Sequence, residues 1–281
     1  MLMKKPEWLK IRLGGNEQYA ETNRILSARG LHTICQSGRC PNKGECWERG
    51  TATFMIGGDI CTRSCKFCNT KTGKPLPLVA DEADKIAESV RLMGLKHAVI
   101  TSVDRDDLPD LGAAHWAKTI RCVKSLNPGI TMEVLIPDFQ GKTACLDVVV
   151  QASPDIISHN METVRRLTPL VRSVAKYDTS LEVLRYIAQS DIPVKSGLML
   201  GLGEEEEEVV DAIRDIFQAG CRLLSIGQYL QPSAKNLSVS AYITPEQFDC
   251  YKELALQMGY RHVESAPLVR TSYASDSFIR R

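Results

Sequence analysis

No stretch of the sequence approaches the about 20 apolar residues that a membrane-spanning helix needs. The amino end, MLMKKPEWLK, lacks the apolar core of an export signal. An excess of one charge is missing too. Lys and Arg number 35 against 34 Asp and Glu, a formal net charge of +1, which removes any global case for nucleic acid or an acidic membrane as partner. No repeat recurs at a solenoid period, and the one low-complexity run is residues 204–208. That run opens a predicted helix, where carboxylates complement the macrodipole, and reads as a solvated helix start. The remainder, 43% hydrophobic and 25% charged, is ordinary globular sequence, long enough for one large α/β barrel or two common domains.

Cysteine, by contrast, is plentiful. Ten cysteines without an export signal favour a reducing compartment and metal ligation over disulfides, so the expected location is cytoplasmic. Residues 51–70 read TATFMIGGDICTRSCKFCNT: a β-rich run passes through Gly57-Gly58 into a loop holding Cys61, Cys65 and Cys68. Thiolates spaced CxxxCxxC reach three corners of one iron–sulfur cube. The fourth iron then has no cysteine from this loop, and an under-ligated metal is where substrate or cofactor enters. A zinc site would use two CxxC pairs or nearby histidines, and His32 and His97 sit at no such spacing. A disulfide with one spare thiol stays open for a secreted protein.

A second group lies upstream in LHTICQSGRCPNKGECWERG, where Cys35, Cys40 and Cys46 are spaced Cx4Cx5C. Gly38, Pro41, Asn42 and Gly44 are turn formers, so the segment is expected to be a loop without regular structure. It suits a second cluster; a zinc knuckle or packed apolar cysteines are the bland readings. Cys122, Cys145, Cys221 and Cys250 fall in or beside predicted elements and read as buried thiols.

From residue 51 the pattern alternates. Strands are expected at 51–56, 97–103, 130–136, 155–159, 194–200 and 223–229. Helices are expected at 16–30, 81–93, 112–126, 142–151, 180–189, 204–219 and 245–258, with a short one at 162–167. Asp81 is the predicted cap of one, and Gly94 and Gly220 the stops of others. Six strand–helix units in series predict a partial (β/α)6 TIM-type barrel. The expected division is an amino-terminal cluster-binding extension at 1–50, the barrel at 51–235, and a carboxyl-terminal helix and tail at 236–281.

The strand ends are polar and particular: ITSVDRDDLPD, LIPDF, SHNMETV, KSGLMLGLGE and IGQYLQPS in turn. With Phe67 before the last cysteine, the CxxxCxxC loop resembles the signature of radical S-adenosylmethionine (SAM) enzymes. Both cysteine groups, these strand ends and the tail Arg270-Thr271-Ser272-Tyr273 together resemble the lipoyl synthases, from about Cys35 to Tyr273.

The resemblance implies two 4Fe-4S clusters and SAM. Cys61, Cys65 and Cys68 match the ligands of the cluster at which SAM is cleaved to a 5′-deoxyadenosyl radical. Cys35, Cys40 and Cys46 match ligands of an auxiliary cluster, whose fourth ligand in the family is a serine of an Arg-Ser-Ser-Tyr motif; the match falls on Ser272. The implied reaction inserts two sulfur atoms, at C6 and C8 of an octanoyl group on a lipoyl carrier domain, with the auxiliary cluster as sulfur donor. Implied partners are octanoylated carriers (2-oxoacid dehydrogenase acyltransferase subunits or the glycine cleavage carrier protein), an electron donor such as flavodoxin or ferredoxin, and a cluster-repair protein. No nucleic acid or membrane partner is expected. Expected SAM contacts are Thr101, Ser102, Asp104, Asn160, Glu162, Arg172 and Lys195, each with the bland alternative of a satisfied barrel-mouth polar group. His159 reads as an orienting or packed histidine. Departures from the family are Thr271 for serine, Ala274-Ser275 after the motif, and Asn236 where histidine is common. Two other readings stay open: a sulfur-inserting enzyme resembling biotin synthase, which lacks the Cx4Cx5C group with a tail serine, and a non-catalytic iron–sulfur carrier or zinc module, which needs no barrel cavity.

Overall fold

The computed structural model describes residues 4–11 and 14–272. The chain divides into an amino-terminal unit, residues 12–63 and 69–157, and a carboxyl-terminal unit, residues 1–11, 64–68 and 158–281. Tyr273 and the Ala274-Ser275 departure lie outside the described residues.

In the amino-terminal unit, α1 (Glu17–Ala28) is capped by Asn16, whose side chain accepts from the Tyr19 amide at 2.8 Å. There follow β1 (His32–Thr33), α2 (Ile34–Ser37), α3 (Lys43–Glu48), β2 (Thr53–Ile56), β3 (Ile60–Cys61) and β4 (Lys71–Thr72). Then come α4 (Glu82–Leu92), β5 (His97–Ser102), α5 (Ala113–Leu126), β6 (Thr131–Leu135), α6 (Thr143–Val150) and β7 (Ile156–Ser158). The strand order is β1-β2-β5-β6-β7, with β1 antiparallel on β2 and β2, β5 and β6 mutually parallel. Phe54, Ile56, Ile100, Met132 and Val134 on the strands are buried, as are Ile86, Val90, Trp116, Ile120 and Val123 on the helices. Each such side chain contributes about 1.5–3 kcal/mol, which fixes these strands as a layer under helices.

Three expectations fail in this unit. The Cx4Cx5C segment is not irregular: Cys35 stands in α2 and Cys46 in α3, because Thr33 accepts from the Gln36 amide and starts a turn of helix that the glycines do not prevent. Asp81 precedes α4 but makes no side-chain cap; its carboxylate pairs with Lys85 at 3.0 Å. Cys122 is only half-buried, on the outer side of α5 beside Asp84.

The carboxyl-terminal unit holds α7 (Thr168–Val171), α8 (Tyr177–Ile187), β8 (Val194–Leu200), α9 (Glu206–Gln218), β9 (Leu223–Gln228), α10 (Pro245–Met258) and β10 (His262–Ser265). The strands run parallel in the order β8-β9-β10. The acidic run opens α9 with a reciprocal capping box between Glu205 and Glu208. The helix expected at 162–167 is absent. Glu162 sits at φ 68° and bridges β8, donating its amide to Gly197 and accepting from Met199, so its backbone groups are taken by a strand. Only α7 forms beyond it. Cys250, on α10, is exposed rather than buried, whereas Cys145 and Cys221 are buried as expected. β10 adds a parallel strand beyond the six read from the pattern.

Candidate functional site

Strand ends place the polar residues, since a parallel strand delivers its carboxyl end to a loop rather than to a hairpin. In the amino-terminal unit β2 is followed by Gly57, whose amide donates to Glu82 at 2.9 Å while its carbonyl accepts from Arg105 at 3.1 Å. Gly57 has φ 83°, and a Cβ there would meet Val103 at 3.3 Å, so the turn toward Cys61 needs glycine. Glu82 is also 2.5 Å from His115 Nε2. Burial pushes the Glu82 carboxyl up, but His115 and the Gly57 amide outweigh it and hold the group below its ordinary range.

Cys61 is held from its sulfur. The amides of Arg63 and Asp104 donate to Sγ at 3.4 and 3.3 Å, and the thiol faces Asp104 Oδ2 at 3.6 Å. Arg63, its side chain buried, donates to Asp106 through two nitrogens at 2.8 and 2.9 Å and to Asp138 at 2.7 Å. Its Nε lies 3.3 Å from Asp104. One guanidinium thus faces three carboxylates. Burial and the neighbouring aspartates push Asp104 up to about 6 against the pull of Arg63. Asp106 ends below its ordinary range, because Arg63 overcomes the penalty of burial. Thr101 is buried with its hydroxyl on the Leu135 carbonyl at 3.2 Å, and Ser102 is half-buried at the end of β5.

Cys35, Cys40 and Cys46 come together. Burial first, then the charge of Cys40, pushes the Cys35 thiol up to about 11. Burial, then Cys35 and Cys40, takes Cys46 to about 12. Hydrogen bonding from Thr53 and Trp47 favours the Cys35 thiolate, and Thr51 favours that of Cys46. Trp47 is fully buried, and apart from the Cys35 sulfur its indole Nε1 has no hydrogen-bond partner among the described residues, the kind of donor a thiolate satisfies. Among the described residues no three His, Cys, Asp or Glu side chains converge on a single-ion site. Three crowded thiols that repel one another once ionised, ringed by N–H and O–H donors, fit a cationic iron–sulfur cluster that neutralises them.

In the carboxyl-terminal unit Cys65 and Cys68 stand in the segment 64–68. Cys65 Sγ lies 3.9 Å from Ser173 Oγ, whose hydroxyl accepts from the Ser64 amide at 3.0 Å. Asn236 donates to the Cys68 carbonyl at 2.8 Å and the Lys66 carbonyl at 3.3 Å. The Asn236 departure therefore braces the cysteine segment. Asn160 donates to Glu162 at 3.1 Å and to Thr271 Oγ1 at 2.8 Å. Burial raises Glu162, while Arg172 and Asn160 oppose the rise. Arg172 donates to Ser180 at 2.8 Å, and Ser180 lies 3.0 Å from His159 Nε2, so His159 is a packed, orienting histidine. Lys195 is fully buried and donates to the Thr271 carbonyl at 2.6 Å. Asn160, Glu162, Arg172 and Lys195 are thus drawn into one region of this unit, and Ser272, half-buried, follows directly on the Thr271 that Asn160 and Lys195 hold.

The radical SAM superfamily model matches residues 55–216. A lipoyl synthase of Parabacteroides distasonis is 64% identical over 99% of this chain and 99% of its own length. The chain belongs to the lipoyl synthase family. A Bacteroides fragilis lipoyl synthase is 65% identical over 99% of the chain and 96% of its own. SuiB of Streptococcus suis, solved with SAM bound, shares the fold alone, with a TM-score of 0.60 at 8% identity over 81% of this chain and 55% of that one. The fold class is the α/β, mostly parallel one of the radical SAM domain, matching a partial TIM-type barrel. The chain is a radical SAM, sulfur-inserting enzyme of lipoyl cofactor biosynthesis, working with SAM and 4Fe-4S clusters. No described helix is long and apolar enough to cross a membrane.

Residue chemistry missed at the sequence level includes Arg63 with Asp106 and Asp138, the Glu82–His115 pair, Trp47, Asn236, and the grip on Thr271. None carries a spacing motif, because each partner arrives from a distant part of the chain.

Proposed function

We propose that this enzyme inserts sulfur at C6 and C8 of an octanoyl group carried on a lysine of a lipoyl carrier domain, and that the residue roles follow the family pattern. Cys61, Cys65 and Cys68 hold the cluster that engages SAM. Cys35, Cys40 and Cys46, with Ser272, hold the auxiliary cluster that gives up sulfur. The octanoyl carbons carry no acidic proton and no leaving group, so acid–base residues have nothing to act on. SAM at its cluster supplies, when bound, the radical chemistry that such C–H bonds require. The protein's own task is to hold, orient and exclude water.

Three observations support these roles. The Arg63 and Asp104 amides orient the Cys61 sulfur, and the Glu82–Gly57 contact fixes the turn leading to it. Asn236 and Ser173 hold the Cys65–Cys68 segment. Trp47, Thr53 and Thr51 surround the second thiol set with donors suited to thiolate. Toward SAM we place Thr101, Ser102, Asp104, Asn160, Glu162, Arg172 and Lys195. A hard oxygen donor such as Ser272 on a soft cluster iron releases more readily than thiolate, which suits a consumed cluster. The substrates are octanoylated lipoyl carriers, either acyltransferase subunits or the glycine cleavage carrier. Flavodoxin or ferredoxin supplies electrons, and a repair protein rebuilds the auxiliary cluster in the cytoplasm. The division into extension, barrel and tail at residues 50 and 235 is part of the same reading.

The observation that carries the proposal is the pairing of Cx4Cx5C with CxxxCxxC on a chain of this family. Anaerobic incubation with SAM, a reductant and an octanoyl-lysine carrier peptide tests it by mass spectrometry. A peptide gaining two sulfur atoms is expected; an unaltered peptide beside abundant 5′-deoxyadenosine would reject it.

A further inference from the structure

The tail is held at Ala266, Pro267, Val269 and Thr271 within the carboxyl-terminal unit. Ala266 donates to Ile226, and Gln228 donates to the Pro267 carbonyl at 3.2 Å, so the chain leaves β10 along the end of β9. At Gly227 a Cβ would stand 2.1 Å from the Val269 carbonyl oxygen, so the tail backbone fills the place of a side chain. Two buried side chains then meet at Thr271. Lys195 Nζ takes its carbonyl at 2.6 Å, and Asn160 Nδ2 takes its hydroxyl at 2.8 Å. Gly197 completes the seat, since a Cβ there would lie 3.2 Å from Thr271 Oγ1 and 2.8 Å from Asn160 Oδ1.

We propose that Lys195 and Asn160 form a clamp on the Thr271 peptide, and that Thr271 is the positioning residue that presents Ser272. The inference rests on the reading of Ser272 as a cluster ligand. Lys195 makes a short contact with the carbonyl at 2.6 Å, just below the usual range for an N–H donor. The clamp fixes Thr271 through two of its polar groups, the carbonyl and the hydroxyl. The peptide joining Thr271 to Ser272 therefore has one orientation, which fixes where the Ser272 backbone begins. An oxygen ligand that binds iron weakly would depend on being held in place. A clamp on the preceding residue would hold the serine near that cluster. Asn160 keeps Oδ1 unpaired and buried, so its grip on the tail leaves an acceptor over.

The test uses the full chain, and its first arm needs no cluster. Trypsin cuts after Arg270, and in the clamped tail that bond is protected by local structure. Lys195→Met, which keeps the length and volume of the side chain, is expected to raise the cleavage rate after Arg270 about tenfold, the effect of losing roughly 1.4 kcal/mol of local closure. Thr271→Val should do the same to a lesser degree, and Thr271→Ser, which keeps the hydroxyl, should restore protection. The second arm uses anaerobically reconstituted protein. Thr271→Val should keep about eight irons per chain, as two cubes require. It should also keep 5′-deoxyadenosine formation near wild type. The Mössbauer signal of an oxygen-ligated iron should fall, and doubly thiolated product should drop about fivefold. Thr271→Ser should recover both. Unchanged cleavage after Arg270 in Lys195→Met would overturn the clamp. An unchanged Mössbauer spectrum and full product in Thr271→Val would overturn the positioning role. Wild-type protein showing no oxygen-ligated iron would instead refute the Ser272 reading, and the proteolysis arm would still decide the clamp.

Discussion

Replacing Arg63 by methionine removes the one cation among Asp104, Asp106 and Asp138 while keeping the volume of the stem. In the native chain Arg63 and Asp138 have side chains only 3% exposed, and their contact is 2.7 Å. Breaking a buried pair by removing one partner costs about 3–5 kcal/mol, since the remaining charge is left desolvated. For a chain of this size that lowers Tm by roughly 10 °C. Scanning calorimetry at pH 7, with cluster content held equal between wild type and variant, measures it. The pH dependence gives a second check. Asp106 has a folded pKa depressed below its ordinary value, so its stabilising share is present above the unfolded carboxylate range and is lost as pH falls through the depressed value. The gap between wild type and Arg63→Met should therefore hold from pH 7 down to the ordinary carboxylate range and narrow below about pH 4. A Tm drop under about 2 °C, or a gap that widens on acidification, would refute the argument.

Glu82→Gln keeps the shape of the buried contact with His115 and the Gly57 amide but removes the charge. It should cost about 1–3 kcal/mol at pH 7. That loss should shrink on acidification, because the depressed Glu82 pKa places its stabilisation above the ordinary value and its loss below; calorimetry across pH checks both. Trp47→Phe keeps the buried ring but deletes the N–H that addresses the Cys35 sulfur. The reduction potential of the cluster proposed at Cys35, Cys40 and Cys46 should move to a more negative value, measured by EPR-monitored titration, while 5′-deoxyadenosine formation stays unchanged. Cys61→Ala, Cys65→Ala and Cys68→Ala together should abolish 5′-deoxyadenosine while one cluster remains, as counted by iron and sulfide.

The six barrel strands were legible to within a residue or two at each end because each is a short apolar run bounded by breakers. β8, expected at 194–200, begins and ends there, and α10 matches its predicted span. β10 escaped because HVES alternates buried with half-buried positions and reads as weakly as a loop. The helix expected at 162–167 had the right composition, but the Glu162 backbone is claimed by β8, a tertiary contact that local propensity does not see. The cysteines declare themselves because each group of three falls within a dozen residues at a recognisable spacing. Their supports do not. Asp138 reaches Arg63 across 75 residues, and Asn236 reaches Cys68 across 168, distances at which a single sequence carries no periodic signal. The same holds for Thr271, whose partners Asn160 and Lys195 read from sequence only as strand-end polar residues.

The separation of a radical-generating set from a sulfur-donating set is tested most directly by the Cys35→Ala, Cys40→Ala, Cys46→Ala variant. It is incubated anaerobically with SAM, a reductant and the octanoyl-lysine peptide, and both products are quantified in a single turnover. The variant is predicted to form 5′-deoxyadenosine and no carbon–sulfur bond. Doubly thiolated peptide from that variant would contradict the account and place the sulfur source elsewhere.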